Sequence, residues 1–410
     1  MSRTLCTAGA LILASGMALG AVQDVAPPPP PDAAPPAANP PSPVVAPART
    51  PREALDLGVE YLLSVQNEDG SWGYFHSTRP YEVYLDNLSS HRAFRTATTA
   101  LGVMAMHAVS ADNERALAAA KKGLEYLLTA EQPGRASGST FYNTWAHTYA
   151  IEALSILAQD PRFADKHEAI KPIVEREMRT LDELQNATGG WGYYDFGAEL
   201  AHPTGEESTS FNTAAALVAY REAKNAGFTL NDTVIETGLD CLERLRLPSG
   251  AYIYGFGSRY AQTAGYNQVK GSLGRSQSCN LALLLFERPD IDRQNLLDGL
   301  DNLRTFHYII EIGRGRQFPH EAWYQTAGYY YFFGHYYASR VIHEIEESKQ
   351  REYAEWLAGV MVATQDPDGS WFDFPFYGYS REYGASFAVM TLKNCLNVLE
   401  PEAPDAADEN

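Results

Sequence analysis

Two pairs of titratable side chains have the types and spacing needed for proton transfer. His320 and Glu321 are neighbours, and Glu206 and Glu207 form an acidic pair just before an apolar segment that begins at Phe211. An imidazole titrates near neutral pH, and an adjacent carboxylate tunes or orients it, so such groups suit general acid–base catalysis. We therefore predict His320, Glu321, Glu206 and Glu207 as candidate catalytic residues.

Other polar and aromatic residues recur just before or within the first turn of successive apolar segments. The predicted ligand-binding residues among them are Arg92, Tyr142, Trp145, His147, Arg275, Gln277, Tyr324, Gln325, Arg381 and Tyr383. Helix N-termini carry a partial positive charge, so this set favours an anionic ligand. The alternative for each single residue is a helix cap or a hydrogen bond between neighbouring repeats.

The composition excludes several classes of partner and cofactor. The chain has 410 residues, with 32 Lys and Arg against 51 Asp and Glu, and a formal charge of −19. Such a surface repels nucleic acid, so we predict no nucleic-acid partner. Its 4 scattered cysteines match neither a disulfide scaffold nor a cysteine-based zinc module, and no phosphate-binding glycine motif occurs. We therefore predict no metal and no cofactor.

The first 51 residues predict export rather than a folded domain. Arg3 precedes an apolar run with a small-residue cleavage signal, which predicts a signal peptide over residues 1–20, or alternatively an uncleaved membrane anchor. Residues 21–51 are rich in proline and predict a disordered linker. The protein is therefore expected to be periplasmic, secreted or tethered to a membrane and facing outward. Residues 401–410 predict an acidic disordered tail.

A repeat organises the chain between residues 52 and 400. Residues 66–72, 185–191 and 365–371 share a pattern of Gln, Gly and Trp, and residues 247–252 form a weaker copy that ends in Tyr252. The final aromatic residues of these copies are separated by 119, 61 and 119 residues. This spacing indicates a unit of about 60 residues, present six times.

Each unit is predicted to be a pair of helices. The first helices, which are amphipathic, are predicted over residues 54–66, 116–132, 173–186, 233–247, 292–306 and 351–365. The second helices, which carry few charges, are predicted over residues 95–110, 143–159, 211–227, 276–287, 326–342 and 383–398. Because the terminal units keep the strongest pattern instead of becoming polar caps, we predict a closed ring. The expected fold is all-α, an α6/α6 toroid of six helical hairpins in two concentric rings, with one shared ligand pocket at its mouth.

The pattern resembles the QW motif, Q-x-x-x-G-x-W, of squalene–hopene cyclases, whose toroid also occurs in protein prenyltransferases. Gln66, Gly70 and Trp72 match it, as do the corresponding residues of the other two strong copies. The resemblance implies a structural role for these residues. We expect Gln to bind carbonyls at the end of its helix, Gly to allow a left-handed turn and Trp to pack over that turn.

The catalytic motifs of those families are missing from this chain. No D-x-D-D acid motif of the hopene type occurs, and Gln277-Ser278-Cys279 has Gln where zinc prenyltransferases have Asp. The thioester sequence of complement-type toroids is also absent. We therefore expect an exported terpenoid-cyclase-like or prenyltransferase-like toroid that binds a small molecule or glycan in a polar mouth. The alternatives are a carbohydrate-active toroid enzyme of the lyase or hydrolase type, a terpene cyclase with an altered acid motif, and a non-catalytic receptor.

Overall fold

The computed structural model describes residues 49–76, 88–134, 143–193, 208–318 and 320–401. The predicted signal peptide, nearly all of the proline-rich linker and most of the acidic tail lie outside these residues, and they stay predictions. No helix within the described ranges is long and apolar enough to cross a membrane.

Helices account for nearly all the regular structure of the described residues. In chain order they are α1 (Pro51–Ser64), α2 (Leu88–Ala108), α3 (Glu114–Thr129), α4 (Asn143–Ala158), α5 (His167–Glu183), α6 (Ser210–Asn225), α7 (Asp232–Leu245), α8 (Val269–Leu285), α9 (Arg293–Thr305), α10 (His307–Gly313), α11 (Tyr330–Ile342), α12 (Glu347–Thr364) and α13 (Ser380–Leu399). Short 3-10 turns lie at Pro161–Lys166, Phe256–Ser258, Gly265–Asn267 and Trp323–Gln325.

The inner helices pack side by side around a closed ring. In order, α2 packs against α4, α4 against α6, α6 against α8, α8 against α11 and α11 against α13, and α13 returns to α2. The outer helices α3, α5, α7 and α9 each pack on the inner helix before them, while α1 and α12 both pack on α13. The predicted α6/α6 toroid is therefore confirmed, and its first and last repeats meet where α1 packs on α13.

The two rings differ in burial as their compositions predicted. In α6, an inner helix, every residue from Ser210 to Tyr220 is buried. In α7, an outer helix, the buried residues form one stripe that includes Val234, Gly238 and Leu242. A helix enclosed by neighbours loses its polar face, whereas an outer helix needs only one apolar stripe.

Four inner helices begin three or more residues away from the predicted start, and one helix was not predicted. Helix α2 begins at Leu88 rather than residue 95, and α13 begins at Ser380 rather than residue 383. Helix α8 begins at Val269 rather than residue 276, because the glycines in its first turns allow close packing instead of ending the helix. A Cβ on Gly271 would lie 2.3 Å from the carbonyl of Gly265, and a Cβ on Gly274 would lie 2.6 Å from the Cβ of Tyr330. Helix α11 begins at Tyr330 rather than residue 326, because the additional helix α10 and a long loop precede it.

Each strong copy of the Gln–Gly–Trp pattern joins one outer helix to the next. The glutamine Nε2 donates to a carbonyl in the first two turns of the following outer helix, at 2.7–3.0 Å: Gln66 to Ala119, Gln185 to Val234 and Gln365 to Ala54. Its second bond goes to the glycine carbonyl of its own loop, as for Gln66 and Gly70 at 3.0 Å. The expectation that the glutamine binds carbonyls at the end of its own helix is therefore wrong: it links two repeats.

The glycine and tryptophan of the pattern act as predicted. Gly70 has φ +90°, and a Cβ there would lie 2.2 Å from the carbonyl of Lys122, so only glycine fits this turn. Trp371 is fully buried, and its Nε1 donates to the carbonyl of Met361 at 2.9 Å. Its ring packs on Gly58 of α1, which closes the ring of repeats.

Candidate functional site

A small aromatic cavity lies at the N-terminal ends of the inner helices. It has a volume of about 40 Å³ and is lined by Phe94, Trp145, Tyr193, Tyr329, Asp373, Phe374, Phe376, Ser380 and Tyr383. Helices α2, α4 and α13 contribute Phe94, Trp145 and Tyr383, and the loops between helices contribute most of the rest. The toroid therefore brings residues from distant parts of the chain to one site, as its topology predicts.

The repeat pattern itself positions part of this lining. Tyr193 follows Trp191 by two residues, and Asp373 follows Trp371 by two residues. Both line the cavity, because each tryptophan anchors its loop to the outer ring at the same place in the repeat. The position two residues after the motif tryptophan is therefore a signal for site residues that the sequence analysis did not use.

Asp373 is the one carboxyl group among the described residues that line this cavity. Its side chain is fully buried, its Oδ2 accepts from the backbone N–H of Phe332 at 3.4 Å, and its Oδ1 has no hydrogen-bond partner among the described residues. Burial raises the pKa of Asp373 well above its ordinary value, and the Phe332 N–H and the charge of Arg314 offset this only in part. These surroundings favour the protonated form of the carboxyl group, and a protonated carboxyl group suits the role of a proton donor.

The walls of the cavity are built from stacked and edge-to-face aromatic rings. Trp145 of α4 lies 5.4 Å from Tyr149 and 5.9 Å from Phe333, and Phe94 of α2 lies 4.4 Å from Phe376 between ring centroids. Aromatic faces carry partial negative charge and attract cations. An aromatic cavity with a buried carboxyl group in its wall is therefore suited to forming and holding a carbocation.

A cluster of phenol groups and one imidazole adjoins the cavity. The hydroxyl of Tyr193 bonds that of Tyr254 and lies 3.5 Å from that of Tyr329. The Tyr329 hydroxyl lies 3.1 Å from Nε2 of His320, and the His320 ring packs edge-on to Tyr254. These groups give the otherwise apolar cavity one polar edge.

Of the residues predicted from sequence, Trp145, Tyr383 and His320 lie at this site. Trp145 and Tyr383 line the cavity, and the Tyr383 hydroxyl donates to the backbone carbonyl of Tyr329. His320 reaches the cavity through Tyr329. Glu321, its predicted partner, is exposed and forms no hydrogen bond or ion pair with His320, because the backbone turns sharply at His320 with φ +63°.

The three predicted arginines do not come together. Arg92 forms an exposed ion pair with Glu131 at 2.7 Å, and Arg381 pairs with Asp366 at 2.6 Å. Arg275 is buried and donates to backbone carbonyls, including that of Tyr252 at 2.9 Å. The expected convergence of these charges in one polar pocket is therefore not observed: each has a local partner that satisfies it.

Four other predicted residues are held by contacts away from the cavity lining. His147 is buried, with Nδ1 2.5 Å from a Glu177 carboxylate oxygen and Nε2 3.2 Å from the Pro133 carbonyl. Gln277 is buried and donates to the Gly299 carbonyl on α9 at 2.9 Å. Tyr324 and Gln325 belong to the loop that carries His320. A role for any of them in ligand binding stays a prediction.

Glu206, Glu207 and Tyr142 lie outside the described residues, and their predicted roles are untested. Within the described part of the chain, no group of three His, Cys, Asp or Glu side chains is arranged to hold a metal ion.

Comparison with known proteins identifies the sequence family. The chain matches the squalene-hopene cyclase C-terminal domain over residues 44–253, about half of its length. It is 26% identical over 182 residues to the squalene–hopene cyclase of Bradyrhizobium diazoefficiens, an alignment that covers 42% of this chain and 26% of that protein. The aligned part of the chain thus spans about a quarter of the length of that relative.

Solved structures share the fold at low sequence identity. A type II terpene cyclase from Scytonema, in complex with geranylgeranyl dihydroxybenzoate, matches with a TM-score of 0.50 and 10% identity over 85% of this chain and 98% of that chain. The α-1,6-mannanase from a Salegentibacter species matches with a TM-score of 0.53 and 10% identity over 84% and 99%. The toroid is therefore common to terpene cyclases and to a mannanase, and the fold alone does not separate the two chemistries.

Proposed function

Because the chain belongs to the squalene-hopene cyclase C-terminal domain family, we propose that it starts a carbocation reaction by protonating the alkene of a prenyl substrate. The observation that carries this proposal is the buried Asp373 carboxyl group in the wall of an aromatic cavity. Its Oδ1 has no hydrogen-bond partner among the described residues. Asp373 is the proton donor in this account.

The chemistry follows from the protonated state of Asp373. Its O–H bond breaks, the proton forms a C–H bond with one alkene carbon, and the other carbon becomes a tertiary cation. The carboxylate keeps the electron pair of its O–H bond. The faces of Trp145, Phe94 and Phe376 stabilise the cation, which then closes a ring with a neighbouring double bond, is captured by water or loses a proton.

The size of the cavity defines which part of a substrate it accepts. A volume of about 40 Å³ holds roughly three water molecules. This space suits the branched end of a prenyl chain rather than a whole polyprenyl molecule. The rest of the substrate then extends from the cavity toward the mouth of the toroid.

The acid differs in position from the family motif that the chain lacks. A D-x-D-D motif lies at the start of an inner helix, whereas Asp373 lies in the loop between Trp371 and α13. Its carboxylate oxygen binds the first turn of α11 through the Phe332 N–H. The proposal is therefore a terpene-cyclase-like enzyme with an altered acid, one of the alternatives that the sequence left open.

A second candidate function is action on a glycan, and the polar edge of the cavity favours it. The hydroxyls of Tyr193, Tyr254 and Tyr329, together with His320, offer the hydrogen-bonding groups that a sugar requires. The mannanase shares the fold. The single unpaired carboxyl group among the described lining residues argues for the first candidate, because glycosidases generally use two carboxylates.

Export is also part of the proposal. The apolar run and the proline-rich segment at the N-terminus support secretion or tethering to a membrane. An exported enzyme of this kind meets prenyl lipids from the outer face of the membrane.

The test is turnover in deuterated buffer. The full-length protein is incubated in D₂O with squalene, geranylgeraniol or farnesol in detergent, and the products are analysed by gas chromatography and mass spectrometry. We expect a cyclised or hydrated product that carries one carbon-bound deuterium from Asp373. Asp373→Asn should lower the rate at least about 100-fold, the range of general acid catalysis.

The matched control is Asp56→Asn, which changes an exposed carboxyl group on α1 and should keep the wild-type rate. The proposal is wrong if none of the three substrates gives a deuterated product, or if Asp373→Asn retains full activity. Hydrolysis of a mannan by the wild type, with no prenyl product, would favour the glycan function.

A further inference from the structure

Tyr329 and His320 form a hydrogen-bonded pair at the polar edge of the cavity. Tyr329 lines the same cavity as Asp373, and its hydroxyl lies 3.1 Å from Nε2 of His320. His320 is half-buried, and the Tyr329 hydroxyl separates its Nε2 from the cavity. A proton that leaves the cavity at Tyr329 thus has a direct route to an imidazole.

The neighbours of His320 fix the position of its ring proton. Its Nδ1 lies 2.7 Å from the backbone carbonyl of Gln325. A carbonyl oxygen only accepts hydrogen bonds, so Nδ1 must carry the proton that it donates. In the neutral ring Nε2 is therefore an acceptor, and the Tyr329 hydroxyl donates to it. The basic nitrogen thus points toward the cavity.

The loop that holds this geometry is strained. His320, Tyr324 and Gln325 have φ values of +63°, +56° and +53°, although none of them is glycine. Each such residue costs on the order of 1–3 kcal/mol and persists only where the surroundings enforce it. Here the strain turns the Gln325 carbonyl back onto His320 Nδ1. Strain of this kind is concentrated at functional sites.

The surroundings keep the imidazole neutral until a proton arrives. Burial, followed by the charge of Arg275 on α8, lowers the pKa of His320, and the Gln325 carbonyl offsets this in part. Among the described residues, the phenols of Tyr254 and Tyr329 also face the ring. No carboxylate forms an ion pair with His320 among the described residues, so Nε2 is available as a base at neutral pH.

On the basis of the proposed function, we propose that Tyr329 and His320 are the proton acceptor that ends the reaction begun at Asp373. A C–H bond beside the cationic carbon breaks, and its electron pair forms the new C=C bond. The proton passes to the Tyr329 oxygen, while the Tyr329 hydroxyl proton passes to His320 Nε2. The imidazolium then releases its proton to solvent. Tyr329 is the catalytic residue at this step, and His320 is a positioning residue that acts through it.

Two variants separate this role from a merely structural one. Tyr329→Phe keeps the ring that lines the cavity and removes the hydroxyl. His320→Gln keeps an amide N–H for the Gln325 carbonyl and an oxygen that accepts from Tyr329, but it has no basic nitrogen. If the pair only holds the loop, His320→Gln should behave like the wild type. If the pair is a base, it should behave like Tyr329→Phe.

The experiment measures substrate consumption and the ratio of alkene to alcohol products under the conditions of the turnover assay. We expect each variant still to consume substrate, because Asp373 is intact, and the product ratio is taken per molecule of substrate consumed so that a change in overall rate does not affect it. The ratio of alkene to alcohol should fall at least about 10-fold, because without the base the cation loses a proton more slowly and is captured by water instead. The double variant should be no worse than either single one, as for groups that act as a unit. Tyr308→Phe, which removes an exposed hydroxyl on α10, should leave the ratio unchanged.

The two proposals fail in different ways. If the wild type gives deuterated product and both variants keep the wild-type ratio of alkene to alcohol, the base is elsewhere and only this inference falls. A changed ratio in Tyr329→Phe with a wild-type ratio in His320→Gln removes His320 from the assignment. If the wild type gives no deuterated product, the proposed function is wrong, and this inference, which rests on it, is wrong as well. If the melting temperature of His320→Gln is well below that of the wild type, the inference is tested by Tyr329→Phe alone: a wild-type ratio of alkene to alcohol in that variant would overturn it.

Discussion

Two of the buried carboxyl groups among the described residues, Glu152 and Asp373, lie near opposite ends of the inner ring and differ in their partners. Glu152 of α4 lies in the C-terminal half of its helix, where Arg340 of α11 donates to it at 2.8 Å and bonds Glu222 of α6 at the same distance. Asp373 lies at the N-terminal ends of the inner helices, where it accepts from a backbone N–H at 3.4 Å and, among the described residues, has no cation bonded to it. One carboxyl group is part of an ion cluster, and the other lines a cavity.

The difference distinguishes a carboxyl group that stabilises the fold, Glu152, from one that we propose takes part in the reaction, Asp373. Burial raises the pKa of Glu152 to about 7 even though Arg340 opposes the shift, and the pKa of Asp373 is also raised well above its usual range. The arginine joins three inner helices through Glu152 and Glu222. Among the described residues Asp373 makes no comparable link, and for this reason we propose it as the acid of the cavity.

Arg340→Ala should have the largest effect on folding. It leaves Glu152 and Glu222 without their cation, and removal of one partner from a buried ion pair costs about 3–5 kcal/mol. Denaturant unfolding at pH 7 measures the change. Arg304→Ala breaks an exposed ion pair with Glu352 and should cost less than about 1 kcal/mol. Equal effects of the two variants would remove the structural role assigned to the cluster.

A pH series extends the comparison to Glu382, a buried carboxyl group on α13 that forms no ion pair among the described residues. Burial raises its pKa from 4.5 to about 7. Between these pH values the folded protein holds a proton that the unfolded chain releases, so stability falls as the pH rises through this window.

Glu382→Gln should therefore match the wild type at pH 4 and exceed its stability at pH 8 by about 2–3 kcal/mol. The free energy of unfolding at both pH values gives the result. Glu183→Gln, at the exposed end of α5, is the matched control and should show no such gain. A Glu382→Gln variant less stable than the wild type at pH 8 would mean that the carboxylate is needed there in its charged form.

Trp145→Phe should have the smallest effect, and this effect should be on the rate of product formation at the cavity. Phenylalanine keeps an aromatic face but binds a cation more weakly than tryptophan, by about 0.5–1 kcal/mol, so the rate of product formation should fall about 2- to 5-fold. Trp356→Phe changes a tryptophan of α12 that packs on His307, away from the cavity, and should leave the rate unchanged. Identical rates for all three proteins would argue against stabilisation of a cation by Trp145.

The fold could be predicted because its signal is repeated along the chain. The Gln–Gly–Trp pattern marks the same junction in three repeats, and the contrast between amphipathic and uniformly apolar helices gives the two rings. The prediction missed α10 and the early starts of α2 and α8. The start of α8 was missed because glycines such as Gly271 are usual at helix ends. Here the glycines allow neighbouring segments, such as the start of α11 at Tyr330, to pack closely against α8, and the local sequence does not reveal such a neighbour.

The site was harder to predict because the role of each residue depends on its ion-pair and hydrogen-bond partners, which are distant in sequence. Trp145 and Tyr383 were found because residues at the starts of inner helices converge in a toroid. Arg92 has the same kind of position, but it pairs outward with Glu131, and nothing in its local sequence reveals that. Asp373 was missed because its importance lies in the absence of a cation bonded to it, which only tertiary structure establishes. Its place two residues after a motif tryptophan was the usable signal.

The protonation state of Asp373 is the most direct test of the account. Infrared spectra of the full-length protein, labelled with ¹³C at the aspartate side-chain carboxyl carbons, are recorded at pH 7 for the wild type and for Asp373→Asn. The account predicts a band of a protonated carboxylic acid in the wild type that disappears in the variant. If the two spectra differ only by the band of an ionised carboxylate, Asp373 is charged at neutral pH and is not the acid that the proposed function requires.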